Sequence, residues 1–180
     1  FRIAGVPPSA MGLQLLNILF HLVSAWCLWR IVRVLAKGPD GERAGTIAAV
    51  LYLFMPAPLW FHGNAYMSDM FVQNFWLLHL AVAVPVFVRD DAPRPIQQAG
   101  MAGWLFVTAY TSWLGVWAGM VVVAMAVQRY IARRDRSWIP TAVWCSIAVI
   151  GALGVTLWRY AQVVPATDVL TYLAGRLEVR

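Results

Sequence analysis

Long apolar runs alternate along this chain with short clusters of polar and basic residues. Runs at 11–35, 44–61, 70–88, 113–131 and 138–161 are each close to or above the roughly 20 residues that cross a hydrocarbon core about 30 Å thick. A shorter run at 97–110 is separated from the next by Thr111 and Ser112 alone. The pattern predicts an all-α fold, a polytopic transmembrane helix bundle of about six membrane helices joined by short loops.

The basic residues decide how the 97–131 stretch is divided. One connection holds Arg33, Lys37 and Arg43, with Arg30 just before it; the next holds Arg89 and Arg94; the last holds Arg133, Arg134 and Arg136, with Arg129 nearby. The connections at 62–68 and 111–112 carry no Lys or Arg. Cytoplasmic loops accumulate Lys and Arg, and loop sides must alternate. A single long helix over 97–131 would put the second and third basic loops on opposite faces, whereas two helices with a tight hairpin keep every basic loop on one side. The expected topology therefore has both ends outside and the 62–68 loop and 111–112 turn facing the periplasm or exterior. Pro56, Pro58 and Pro85 are tolerable because neighbouring helices can satisfy freed backbone groups. Val169, Leu170, Leu173 and Leu177 recur at helical spacing, so 163–180 is expected to be an amphipathic segment on the outer surface.

Composition agrees. Of 180 residues 61% are hydrophobic and 12% charged, which excludes a single water-soluble core. Ten Trp and six Tyr suit the membrane–water interface. The net charge of +6 sits in loop clusters rather than along one face, so no nucleic-acid partner is expected. Cys27 and Cys145 lie in apolar runs, where a thiol behaves as a small hydrophobe. The chain begins at Phe1 and reads as a fragment of a longer protein.

Ionisable groups at membrane depth usually line a polar cavity or a substrate path. Asp69 is the acid nearest the outer ends of the first five helices, and Gln73 follows one turn later on the same face. His62, Asn64, Tyr66 and Ser68 lead into it. Asp69 could equally be a helix N-cap favoured by free N–H groups and the dipole. Gln14, Asn17, His21 and Ser24 form a stripe on the first helix, a pattern used more often to join helices than to bind ligands; Asn74 and His79 on the third allow the same two readings. No zinc-ligand spacing, phosphate loop or nucleophile elbow is present.

Residues 42–87 carry a pattern that resembles the dolichyl-phosphate-mannose protein mannosyltransferases and their bacterial aminoarabinose-transferring relatives, in the GT-C superfamily of glycosyltransferases. The shared words are Arg43-Ala44-Gly45 opening a helix, Ala48-Ala49 within it, Pro56 near its outer end, and Ser68-Asp69-Met70 starting the next span. The stretch 103–115, with Thr111 and Gly115, is similar to the family's tight outer hairpin.

The resemblance implies inverting transfer of a sugar from a polyprenyl-phosphate donor to an acceptor at the extracytoplasmic face of a membrane, most naturally a bacterial plasma membrane. It implies a principal acid on an outer loop upstream of Phe1, so the chain alone is expected to be inactive. Asp69 matches a second acidic position that organises the site or a divalent metal. His62, Asn64, Tyr66, Gln73, Thr111 and Ser112 are the implied substrate-binding positions. Ser112 stands where many relatives carry Lys, and Asn64 where relatives often carry Arg, so the donor phosphate would be met by His62, a metal or residues elsewhere. A transporter or channel subunit using Gln14, Asn17, His21 and Gln73, and a non-catalytic membrane scaffold, are the alternatives.

Overall fold

The computed structural model describes residues 10–56, 69–89 and 92–162, with Asp168 and Thr171 as isolated positions. Among these residues there are six α-helices and no strand: α1 (Ala10–Ala36), α2 (Gly38–Phe54), α3 (Asp69–Arg89), α4 (Pro95–Thr111), α5 (Trp113–Arg133) and α6 (Trp138–Ala161). Four of them, α1, α3, α5 and α6, are long and apolar enough to cross a membrane. The other two, α2 and α4, have 17 residues each, about 25 Å of helix and the short end of what spans a bilayer.

Local chemistry explains the boundaries. The second helix begins before its apolar run, at Gly38 rather than at 44, because Pro39 and Asp40 both suit a first helical turn. It ends at Phe54, earlier than the expected 61, since Met55 is extended (φ −67°, ψ 132°) and precedes Pro56, which disfavours helical geometry in the residue before it. The rest of that expected span, 57–61, lies outside the described residues, as does most of 163–180. Chain reversal between α1 and α2 takes Lys37 (φ 52°) and Gly38 (φ 65°). Between α4 and α5 it takes extended Ser112, whose Oγ accepts from the Leu114 amide at 3.2 Å and caps α5.

The contacts show how the helices run. On α1 and α2, Arg33 lies beside Gly41, Trp29 beside Gly45, and His21 beside Leu53, an antiparallel pair. A Cβ on Gly41 would stand 2.6 Å from the Arg33 carbonyl oxygen, and one on Gly45 2.7 Å from that of Trp29. These two glycines, four residues apart, let the backbones touch. By contrast α1 and α3 run parallel: Phe20 meets Phe71, Ser24 meets Asn74, and Arg30 meets Ala81. Next, α4 returns antiparallel to α3 through Trp104 on Phe75 and Met101 beside His79. The α4–α5 hairpin closes on Gly115, whose missing side chain makes room for the backbone of Ala109. Finally α6 completes a three-helix group with α4 and α5.

One core joins Met101, Leu105, Val122, Ala126, Trp138 and Cys145 to the Phe87 end of α3; a second joins Cys27 and Ile31 of α1 to Leu77 and Ala81 of α3. Outward faces remain apolar, with Leu15, Ile18, Leu22, Leu51, Val121, Ile147 and Ile150 all exposed. Lipid is the solvent such a surface needs.

The basic connections share one end of the bundle. Arg30 Nε donates to the Ala81 carbonyl at 2.8 Å, Arg129 Nη2 to the Phe87 carbonyl at 3.2 Å, and Arg33 pairs with Glu42 at 2.8 Å. These contacts tie the C-terminal ends of α1, α3 and α5 together. The 97–131 stretch is thus two helices, as the charge alternation required.

Candidate functional site

Polar groups from three helices meet towards the opposite end. On α1, Asn17, His21 and Ser24 are buried, while Gln14, one turn further out, is exposed. Helical spacing puts all four on one stripe; the packing of α2 and α3 covers only its inner three. Ser24 Oγ donates to Asn74 Oδ1 at 2.8 Å, joining α1 to α3. His21 Nε2 lies 3.2 Å from the Leu53 carbonyl oxygen. A carbonyl can only accept, so Nε2 is the donor. Leu53 is in the last turn of α2, where carbonyls have no intrahelical donor, and His21 supplies one.

Tyr52 closes the cluster. Its ring stacks on His21 with centroids 5.1 Å apart and planes 25° apart, and its hydroxyl accepts from Gln73 Nε2 at 3.1 Å. Gln73 is half-buried on α3. Asn17 is 4% exposed and its Nδ2 has no hydrogen-bond partner among the described residues. Phe20 packs edge-on against Phe71 (5.2 Å) and Phe75 (6.5 Å), walling the cluster on one side. Sequence reading missed Tyr52, which sits in the apolar second half of α2, 47–54. The signal available was its hydroxyl, which needs a partner wherever the ring is buried.

The expected site residues divide three ways. Asp69 is the first residue of α3, one turn outward from Gln73; its side chain lies outside the described residues, as do His62, Asn64, Tyr66 and Ser68. Gln73 joins the cluster. Thr111 and Ser112 do not: Thr111 Oγ1 donates back to Val107 (2.9 Å) and Thr108 (3.1 Å) of its own helix, and Ser112 caps α5. Asn74 belongs to the cluster, but His79 lies apart against α4, its Nδ1 donating to the Met101 carbonyl at 3.2 Å. His79 Nε2 is buried without a partner among the described residues.

The cluster is made of amides, hydroxyls and one imidazole, which offer donors and acceptors at fixed positions. Among the described residues no three His, Cys, Asp or Glu side chains gather as metal ligands. Without a carboxylate among them, the described members of the cluster do not fit a divalent ion.

An all-α, polytopic membrane bundle with a buried polar cluster at one end is the class that this fold and site define. Comparison with family models, curated proteins and solved structures finds no match for the chain.

Proposed function

We propose that this chain is the membrane module of a GT-C-like glycosyltransferase that moves a sugar from a polyprenyl-phosphate donor to an acceptor at the extracytoplasmic face. One observation carries the reading: α1, α2 and α3 gather buried hydrogen-bonding groups at the end away from the basic connections, and Asp69 opens α3 one turn from Gln73. Positive-inside orientation then turns that end to the periplasm or exterior of a bacterial plasma membrane.

In the proposed reaction the acceptor atom attacks the anomeric carbon, the bond from that carbon to the phosphate oxygen breaks, and polyprenyl phosphate leaves. The acceptor's proton passes to a carboxylate base. Asp69 is assigned to organising the site rather than to taking the proton. Gln73 and Tyr52, with His62, Asn64 and Tyr66, are assigned to the donor and its sugar hydroxyls, while Thr111 and Ser112, whose hydroxyls serve the α4–α5 hairpin, are not.

Asp69→Asn in the full-length protein, assayed in proteoliposomes with a polyprenyl-phosphate sugar, should lower transfer by about tenfold or more. Undiminished transfer by this variant would remove Asp69 from the mechanism. Absence of transfer by the unmutated protein would leave the Ser24–Asn74 and His21–Leu53 bonds as packing devices of a scaffold. Solute flux through the reconstituted protein without sugar transfer would select a transporter. A cysteine at position 69 that reacts only with reagent added from the cytoplasmic side would also end the proposal.

A further inference from the structure

At the basic end, the α1–α2 turn and the last turn of α3 enclose a cleft of about 410 Å³, lined by Arg33, Lys37, Glu42 and Arg89 with Val34 and Val88. Glu42 is committed to Arg33 at 2.8 Å. Lys37 and Arg89, both exposed, have no acidic partner among the described residues; Asp90 and Asp91, which follow Arg89, lie outside them. With Arg33, Lys37 and Arg89 against the single acid Glu42 in its described lining, the cleft is a concave cationic surface with an apolar wall.

Its depth is marked by aromatics. The Arg33 guanidinium lies over the Trp29 ring at 4.9 Å and that of Arg30 over Trp26 at 5.8 Å, and Trp collects at headgroup level in membrane proteins. Exposed Leu35 lies beside Val34, so hydrocarbon-facing surface begins at the rim. Gly38, in the left-handed region at φ 65°, opens the first turn of α2 onto the same cleft, where helix N–H groups favour an anion.

We propose that this cleft binds the phosphate of an anionic phospholipid in the adjacent leaflet, with Lys37, Arg89 and Arg33 around the phosphate oxygens and Val34 and Val88 against the first methylenes of the chains. Charge alone would draw such lipids to any basic loop. The cleft predicts a single retained lipid that depends on Lys37 and Arg89 and is indifferent to the equally basic α5–α6 connection.

The test compares Lys37→Gln/Arg89→Gln with the charge-matched control Arg134→Gln/Arg136→Gln. Both sets are exposed, and neither touches the Arg33–Glu42 pair. Each protein is released from nanodiscs of phosphatidylcholine and phosphatidylglycerol, and retained lipid is counted by native mass spectrometry; far-UV circular dichroism checks that helix content is unchanged. The wild-type chain and the control should each retain one phosphatidylglycerol, and the cleft variant should retain about tenfold less. If the double variant loses helix, Lys37→Gln alone serves, with a smaller loss expected. Equal loss in variant and control, no preference over phosphatidylcholine, or displacement by millimolar inorganic phosphate would each overturn the proposal.

Discussion

Arg30 of α1 donates through Nε to the carbonyl oxygen of Ala81 on α3 at 2.8 Å, and Ala81 is the residue four positions before Pro85. Proline has no N–H, so Pro85 leaves that carbonyl without its intrahelical donor. A cation from the neighbouring helix replaces it, in a setting where an unsatisfied backbone group has no water to turn to. The same contact fixes how far along α1 the third helix lies.

Replacing Arg30 by Met should therefore destabilise the fold by about 1–3 kcal/mol, the range for leaving a buried polar group unpaired. Pro85→Ala returns an N–H to Ala81. In that background Arg30→Met should be milder by about 0.5 kcal/mol or more, a coupling that a double-mutant cycle in detergent unfolding would read. Equal effects in both backgrounds would show that the two residues act independently.

Gly41 and Gly45 should resist even alanine. The added Cβ would press on the Arg33 and Trp29 carbonyl oxygens at 2.6 and 2.7 Å, and prying α1 from α2 should cost about 1–3 kcal/mol per site. Gly103 and Gly154 have nothing within 4 Å of such a Cβ. Alanine there should be neutral or stabilising by up to about 1 kcal/mol, since glycine is a poor helix former. Thermal denaturation of the four single variants in one detergent tests the contrast.

The Ser24–Asn74 bond should contribute modestly despite its burial. Interhelical hydrogen bonds in membranes couple by about 0.6 kcal/mol on average, because polar groups also find partners before the helices pack. The coupling from Ser24→Ala, Asn74→Ala and the double variant should fall near that figure. A value near zero would detach this pair from the cluster's organisation.

Acid should act at the α5–α6 connection. Asp135 Oδ1 accepts from the Ser137 amide at 2.9 Å, and hydrogen bonding from Ser137, helped weakly by Arg133, holds its carboxyl below the usual 3.8. A depressed carboxyl contributes stability that is present above the unfolded value and lost as pH falls through the folded one. Loosening of the α6 start should follow the folded midpoint, read from the NMR titration of Asp135. Asp135→Asn should abolish that acid-dependent change, and a midpoint at or above 3.8 would contradict the geometry.

Much of the architecture was legible beforehand. The Thr111–Ser112 hairpin followed from charge alternation alone, and α1, α3, α5 and α6 from apolar length. The second helix was misjudged at both ends, because hydropathy marks where lipid lies and not where Pro39 or Pro56 lets a helix start or stop. Within the site, Gln73 and the stripe of Asn17, His21 and Ser24 stood out as polar residues at helical spacing. Tyr52 did not, since its ring reads as apolar and its hydroxyl matters only once Gln73 is beside it. Gly45 reads in the sequence only as the opening of an apolar run; that Gly45 and Gly41 form the notch for α1 needed both helices in place.

Residue order by itself determined that the chain is helical, solvated by lipid and alternating in direction, because each of these depends on how a residue interacts with hydrocarbon or with the charge bias across a membrane. Tertiary structure alone decided that Gln14 stays outside while His21 meets Leu53, that Thr111 turns back on its own helix, and that Arg30 completes the bond Pro85 cannot make. Those outcomes depend on the rotation and axial offset of one helix against another, which are set by side-chain packing across the interface and by no single segment.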